Sequence, residues 1–409
     1  MITQTYILEP GDFALEIAGA VDILKSDQRF ENAVFFDIET TGFSAVKNAI
    51  YLIGCLWAED GRWRLTQWLA ENKSTKEQQA VMDAFFQAID PFTTLVSYNG
   101  TTFDLPFIEK KARALGLDHE LSRWEHMDLY KNVRGLKRLL KLDNLKLKTV
   151  EAFLGIYRED EYSGGALIPI FEAFAKSGNE NMKQLLLLHN YEDIKDMLLI
   201  LPILAYEHFF LDAGFTLLPD TQVDSEQIIL SLEPDLPLPK SLPPIAIHLN
   251  HGGADENTAA KNAAAATTTI AATSAAATAI VTENTAMAVT LTIDTDNVRI
   301  AIPLKQAELK YFYENYKDYY YLPAEDCAMH KSVAGFVEKE FRQKATAKNC
   351  YTKKAGVFLP QQTDCFTPAF KESYEDTLTW FEYNEDFLQS EQITRYIQSF
   401  LRFPILGSF

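Results

Sequence analysis

Residues 33–42 read AVFFDIETTG. The apolar run Ala33, Val34, Phe35 and Phe36 fits a fully buried strand, which delivers Asp37 and Glu39 at its end with one residue between them. Side chains alternate across a strand, so both carboxylates point to the same face. Two acids held side by side resist ionising together unless something positive sits between them, and a divalent metal is the usual answer. On its own, a D-x-E at a strand end is better explained as two solvated surface acids. The metal reading therefore depends on whether the rest of the chain supplies more ligands.

Outward from this strand the order of elements is regular. Apolar or alternating runs at 50–57 and 63–69 predict two further strands, joined by a hairpin at Asp60-Gly61. Ser74 and Glu77 form a capping box that opens a helix ending at Ile89. A short strand at 94–98 stops at Asn99-Gly100, a helix over 105–115 closes at Gly116, and a last strand falls near 125–129. Three strands, a helix, a strand, a helix and a strand is the order of a ribonuclease-H-like fold. The fold class is accordingly α/β, a mixed sheet flanked by helices. Periodic segments at 136–142, 145–154, 166–176 and 181–205 predict a helical cap.

Residues 1–32 form a lead-in, with a strand at 5–8 and a helix near 13–24, before the main domain at 33–212. Pro234, Pro237, Pro239, Pro243 and Pro244 then mark an extended linker, and an Ala/Thr/Asn-rich tract follows at 252–288. That tract has no apolar stripe to bury, so the whole of 217–288 is expected to be linker and disorder. A small α+β unit of unassigned role occupies 289–409. It opens with VTLTI and VRIAIPL turned at Asp296-Asn297 and continues with helix-like segments rich in Tyr and Phe, one of them carrying Glu325, Asp326 and His330.

The 409 residues carry a formal net charge of −19, which argues against bulk electrostatic attraction to nucleic acid. It leaves room for a local basic groove. Residues 134–148 hold Arg134, Lys137, Arg138, Lys141, Lys146 and Lys148 against Asp143 alone. The later run KEFRQKATAKNCYTKK, 339–354, is also basic, with a surface helix and loop as its simpler reading. Cys55, Cys327, Cys350 and Cys365 have neither C-x-x-C nor zinc spacing and read as reduced core thiols. The N-terminus lacks a basic and apolar leader pattern, and no apolar run reaches a bilayer span, so the expected location is the cytoplasm. No phosphate-binding G-x-x-x-x-G-K-[ST] occurs, so no fused NTPase is expected.

Two more segments bear on the metal reading. SYNGTTFDLPFIEKK places Asp104 between an Asn-Gly turn and a helix, where it serves either as a ligand at the strand ends or as a helix cap. LLLLHNYEDIKDMLLILP is a long helix with His189 and Asp193 four residues apart, hence on one face. Such a pair can put a carboxylate on a metal and an imidazole beside the attacking water.

DIETTG, NGTTFD and a helical HNYED together resemble the three motifs of the DEDD superfamily of 3′-to-5′ exonucleases. The stretch DLYKNVRGLKRLLKLDNLKLKTVEAFLGIYREDEYSGG between the second and third motifs is similar to the YprB-type ribonuclease-H-like proteins, and the resemblance covers roughly residues 30–208. It implies four metal ligands, Asp37, Glu39, Asp104 and Asp193, two divalent ions, Mg²⁺ or Mn²⁺, and His189 as candidate general base. It implies hydrolysis at the 3′ end of DNA or RNA, with metals about 4 Å apart bridging the scissile phosphate. One departure stands out: the family's base is a His five residues before the last Asp or a Tyr four before it, and His189 is a His at the tyrosine spacing. Tyr191 points roughly 160° away from Asp193 around the helix and is a poor substitute. Thr40, Thr41, Gly42, Asn99, Phe103 and Lys148 are the expected substrate contacts, whereas Asp128 is expected to fix structure. The competing reading is a catalytically weak nucleic-acid-binding or scaffold protein with the same fold.

Overall fold

The computed structural model describes residues 1–9, 16–249 and 287–406. It divides into two compact units, the first comprising Met1–Gly214 with Asp235–Ser241 and the second Phe215–Pro234 with Leu242–Phe409. The Ala/Thr/Asn-rich tract lies outside the described residues as far as 286.

The first unit is organised on strand β2, Ala33–Thr40, in which Val34, Phe35 and Phe36 are fully buried. β2 pairs antiparallel with β3, Ile50–Glu59, which turns at Asp60-Gly61 into β4, Arg62–Leu69. On its other side β2 runs parallel to β5, Thr94–Ser97, and β5 runs parallel to β6, Glu125–Asp128. The lead-in is part of this sheet. Its strand β1, Ile2–Leu8, pairs antiparallel with β4, so the six strands run β1-β4-β3-β2-β5-β6. Helices α1, Glu16–Ser26, α2, Thr75–Ile89, and α3, Asp104–Leu115, are followed by α4, Leu129–Leu140, and α5, Leu147–Leu154. Then come α6, Gly164–Ser177, α7, Glu180–Leu199, and α8, Leu204–Leu211.

α7 crosses the centre of the sheet because β3 offers it a glycine. Gly54 is in register with Asp37, and a Cβ there would lie 2.2 Å from Ile194 Cδ1 and 2.3 Å from Asn190 Oδ1. Close approach also lets buried Gln67 of β4 donate to the Leu187 carbonyl at 2.9 Å and to Asn190 Oδ1 at 2.8 Å. We expect Gly54→Val to overpack this contact at a cost of about 1–3 kcal/mol. Urea unfolding would read the loss, and an unchanged midpoint would contradict such close packing.

The second unit departs from expectation. Residues 217–249, read from their prolines as linker, contribute strands instead. β7, Phe215–Leu217, β8, Gln222–Val223, β9, Gln227–Pro234, and β10, Leu242–His248, join β11, Ala288–Ile293, and β12, Val298–Pro303. The order is β10-β11-β12-β9-β7, with β8 also on β9. Pro234 ends β9, and Pro243 and Pro244 sit in edge strand β10 where its register shifts between Leu242 and Ile245. A missing N–H is tolerated at such positions.

The Tyr- and Phe-rich region is strand as well. β13, Lys305–Phe312, β17, Tyr351–Gln361, and β18, Thr379–Glu382, form one sheet. β14, Tyr319–Leu322, β15, Cys327–His330, and β16, Gln343–Lys344, form another. Glu325 and Asp326 therefore lie on the β14–β15 hairpin and His330 ends β15, rather than sharing a helix face; the β-favouring Tyr319-Tyr320-Tyr321 run overrides the helical spacing. Short helices α9, Lys331–Ala334, α10, Ile393–Leu401, and α11, Phe403–Leu406, complete the unit. Among the described residues no helix is long and apolar enough to cross a membrane.

Candidate functional site

Three elements bring the expected acids together. β2 supplies Asp37 and Glu39, the first residue of α3 supplies Asp104, and α7 supplies Asp193. Asp104 is buried and is not the helix cap, because Phe103 occupies that position and makes no side-chain capping bond. Backbone N–H groups of Ile38 and Asp104 itself donate to the Asp104 carboxyl, tying α3 to β2.

His189 enters the same cluster. Its Nε2 lies 3.3 Å from Glu39 Oε1 and 3.5 Å from Asp193 Oδ2. One donor atom from each of Glu39, His189 and Asp193 lies within 4.8 Å of the others, so the three can share a single cation. Asn190, the next residue, donates from Nδ2 to Asp37 Oδ2 at 2.9 Å. Tyr51 reaches Glu39 Oε2 with its hydroxyl at 3.5 Å. Tyr191 faces the other way, its ring 4.8 Å from that of Tyr6, as helical geometry requires.

Burial and mutual repulsion dominate the electrostatics. Desolvation, then Asp193 and Asp104, push the carboxyls of Asp37 and Glu39 far above the usual range. Burial pushes Asp104 up to about 7 despite its two backbone donors. Oxygen donors that resist ionising, with one imidazole beside them, suit a hard or borderline divalent cation. The residues present thus fit a metal centre.

A carboxylate whose folded pKa is raised stabilises the fold below its ordinary value of about 4, and that contribution is lost as pH rises through about 7. Asp104→Asn removes the ionisation. Without metal, the variant should therefore gain thermal stability over the parent at pH 8 and much less at pH 5. A gain independent of pH would rule out suppressed ionisation at Asp104.

The loop between α5 and α6 contributes two residues that sequence reading missed. Asp160 Oδ2 lies 2.6 Å from His189 Nδ1. Burial works against this carboxylate, yet the His189 bond, the Tyr162 N–H and Lys148 hold it below the usual range. Arg158 is buried and contacts Asp193, with Glu151 at 3.3 Å, Glu192 at 3.5 Å and Asp196 at 3.9 Å. Glu192 fixes the loop by accepting the N–H groups of Glu159 and Asp160, both at 2.9 Å. Around this one guanidinium, burial raises Glu151 to about 8 and Asp196 to about 6. The alternation of Arg158 and Asp160 in YREDEYSGG was the available signal, but nothing local says what either meets.

The expected substrate residues have structural partners. Lys148 Nζ lies 3.1 Å from Asp160 Oδ2 and donates to the Tyr162 carbonyl at 2.6 Å, which places it behind His189. Thr40 Oγ1 donates to the Gly42 carbonyl at 2.9 Å, and Thr41 Oγ1 accepts the Ala49 N–H at 2.9 Å. Gly42 has φ +146°, and a Cβ would lie 2.8 Å from Asn48 Nδ2. Asn99, at φ +65°, donates its N–H to Asp128 Oδ1 at 2.7 Å and accepts from the Thr102 hydroxyl at 2.7 Å. Asp128 also accepts from the N–H groups of Thr101 and Tyr130, each at 3.2 Å, the fixing role expected of it. Phe103 meets Phe43 edge-on at 6.0 Å, and Phe43, unremarked in the sequence, is 93% exposed.

A central D-x-E strand in this strand order, with a helix carrying His189 and Asp193 laid across it, defines the first unit as a ribonuclease-H-like domain. Residues 34–205 match the RNase_H_2 family model of the RNase H superfamily. The chain is similar to the family B DNA polymerase of Pyrobaculum calidifontis, at 17% identity and TM-score 0.34 over 43% of this chain and 25% of that one. It is also similar to E. coli exonuclease I in complex with single-stranded DNA and zinc, at 14% identity and TM-score 0.25 over 41% of this chain and 45% of that one. The same exonuclease with a dT13 oligonucleotide aligns at 15% identity and TM-score 0.25 over 38% of this chain and 42% of that one. Each alignment thus spans less than half of the solved chain. No curated protein matches the chain.

Proposed function

We propose that the first unit is a metal-dependent 3′-to-5′ exonuclease acting on DNA or RNA. The observation that carries this reading is the convergence of Asp37, Glu39, Asp104 and Asp193 from three elements, in a place where burial and mutual repulsion suppress the ionisation of Asp37, Glu39 and Asp104. Four such acids have no use in a scaffold, whereas a phosphodiester-cleaving centre needs them to hold cations. Two divalent ions, Mg²⁺ or Mn²⁺, supply Lewis-acid stabilisation of the charge that develops on the phosphate.

The chain's own groups do the rest. Asp160 orients the His189 ring from Nδ1, so that Nε2 faces Glu39 and Asp193. From there His189 takes the proton of the attacking water, its spacing to Asp193 notwithstanding. Phe43 and Phe103 give the terminal base an aromatic edge to stack on. Backbone groups of Thr40, Thr41 and Gly42 approach the terminal nucleotide, and Asn99 adds a hydrogen bond. Lys148, through Asp160, supports the ring that moves the proton.

The test offers the full chain end-labelled single- and double-stranded DNA and RNA with Mn²⁺, alongside a circular single strand. Mononucleotides released from 3′ ends, with the circle intact and activity lost to chelator, is the expected result. Cutting of the circle would make the enzyme an endonuclease instead.

A further inference from the structure

The second unit has a surface whose chemistry differs from that of the acidic chain around it. Tyr320 of β14 pairs across the sheet with Lys344 of β16. The Arg342 guanidinium carbon lies 4.7 Å from the Tyr320 ring centroid and Lys331 Nζ 5.9 Å from it. The same excursion of chain carries Phe336, 92% exposed, and Phe341, 55% exposed. Val333, 57% exposed, adds to them, so Phe336 is not an isolated surface ring of the kind that needs no explanation.

Among the described residues these cations make no ion pair, although Glu338 and Glu340 share their segment. Four lysines elsewhere in the unit are matched to acids: Lys305 to Glu372, Lys348 to Glu375, Lys353 to Asp326 and Lys354 to Glu382. Among the described residues, Lys331, Arg342 and Lys344 have no carboxylate partner. Lys331 donates to the Lys317 carbonyl and Arg342 to the Ala334 carbonyl, which hold the side chains in place without cancelling their charge.

We propose that this face, Tyr320, Lys331, Phe336, Phe341, Arg342 and Lys344, is a binding surface for single-stranded nucleic acid. Exposed rings offer stacking platforms for unpaired bases of any sequence, and unpaired Arg and Lys beside them meet the phosphates. A duplex keeps its base faces stacked inside and leaves Phe336 without an occupant. An anionic membrane would favour a long amphipathic helix, whereas α9 here spans four residues and the 3-10 turn Lys339–Phe341 three. The proposal stands on the second unit's own side chains and needs no hydrolysis, so it does not depend on the catalytic reading.

The experiment measures fluorescence anisotropy of labelled dT15 and U15 with the full chain in EDTA. Phe336→Ala and Lys344→Glu should each weaken binding several-fold and together by about tenfold or more. Lys344→Glu should also flatten the salt dependence. Lys348→Ala, outside the face, should bind as the parent does, and hydrolysis of a trinucleotide with Mn²⁺ should be unchanged in every variant. Phe336 is so exposed that its removal leaves the fold intact, which keeps that arm decisive. Parent-like affinity in the double variant, absence of any oligonucleotide binding by the parent, or binding confined to anionic vesicles would each overturn the proposal. Loss of nuclease activity in the parent alone would strike only the proposed exonuclease.

Discussion

Asp37→Ala should abolish metal-dependent release of nucleotides, lowering turnover on the order of a thousandfold or more. Asp37 shares its strand face with Glu39, and desolvation, Asp193 and Asp104 all act on its carboxyl. Removing it takes away a quarter of the acids that hold the cations. The Asn190 amide that now donates to Asp37 Oδ2 would turn to the vacated space. Because the lost group resists ionising in the metal-free fold, its removal should not lower stability in EDTA. Asp37→Asn keeps the shape and the Asn190 contact and should be equally inactive. Activity within tenfold of the parent in either variant, measured on 3′-labelled strands with Mn²⁺, would exclude Asp37 from the centre.

Arg158→Leu should produce the largest loss of stability in the first unit. The guanidinium is buried against Glu151, Glu192, Asp193 and Asp196, so its removal leaves Glu151, Glu192 and Asp193 without their buried cation and Asp196 with Lys195 alone, at 3.3 Å. Breaking a buried pair from one side costs about 3–5 kcal/mol. In a unit of this size that corresponds to a fall in Tm on the order of 10 °C. The loss should depend on pH in a definite direction. Glu151 titrates near 8 and Asp196 near 6, both raised, so the acids left behind take up protons as pH falls and the destabilisation shrinks towards pH 5. Arg158→Lys should recover only part of the loss, because an ammonium cannot fork between Asp193 and Glu151 as a guanidinium does. A Tm within a degree or two of the parent at pH 8 would show that the arginine is dispensable.

The two predictions act on adjoining faces of the same helix. α7 faces the acidic cluster with His189 and Asp193 and faces the Arg158 loop with Glu192 and Asp196. Stability and chemistry are thereby coupled: Arg158 holds Asp193, and Glu192 holds the backbone that carries Asp160 to His189. A damaged loop should therefore cost activity before it unfolds the domain.

Much of the first unit could be read in one dimension. The continuous apolar run ending in Asp37 and Glu39 fixed a central strand because only burial on both faces suits four such residues in a row. The Asp60-Gly61 hairpin, the Ser74 cap and the four-residue spacing of His189 and Asp193 are likewise local, set by turn chemistry, capping and helical period. Asp104 was legible as a position but not as a role, since a ligand and a cap look alike in sequence. Phe103 at the capping position excludes the cap, and burial with bonds to the backbone of β2 and α3 places the Asp104 carboxyl inside the fold. Other features had no local signature. β1 closes the sheet edge from 55 or more residues away in sequence, and Arg158 and Asp160 find partners 29 to 38 residues further along. Lys148, which composition placed on a basic substrate face, is drawn to Asp160 instead. In 217–249 the prolines suggested linker, yet edges and strand ends accommodate them once β9 and β12 have paired. Periodicity and turn residues record which side of an element is buried and where it stops. Which charges then meet across a core depends on distances that exist only after helices and strands have packed.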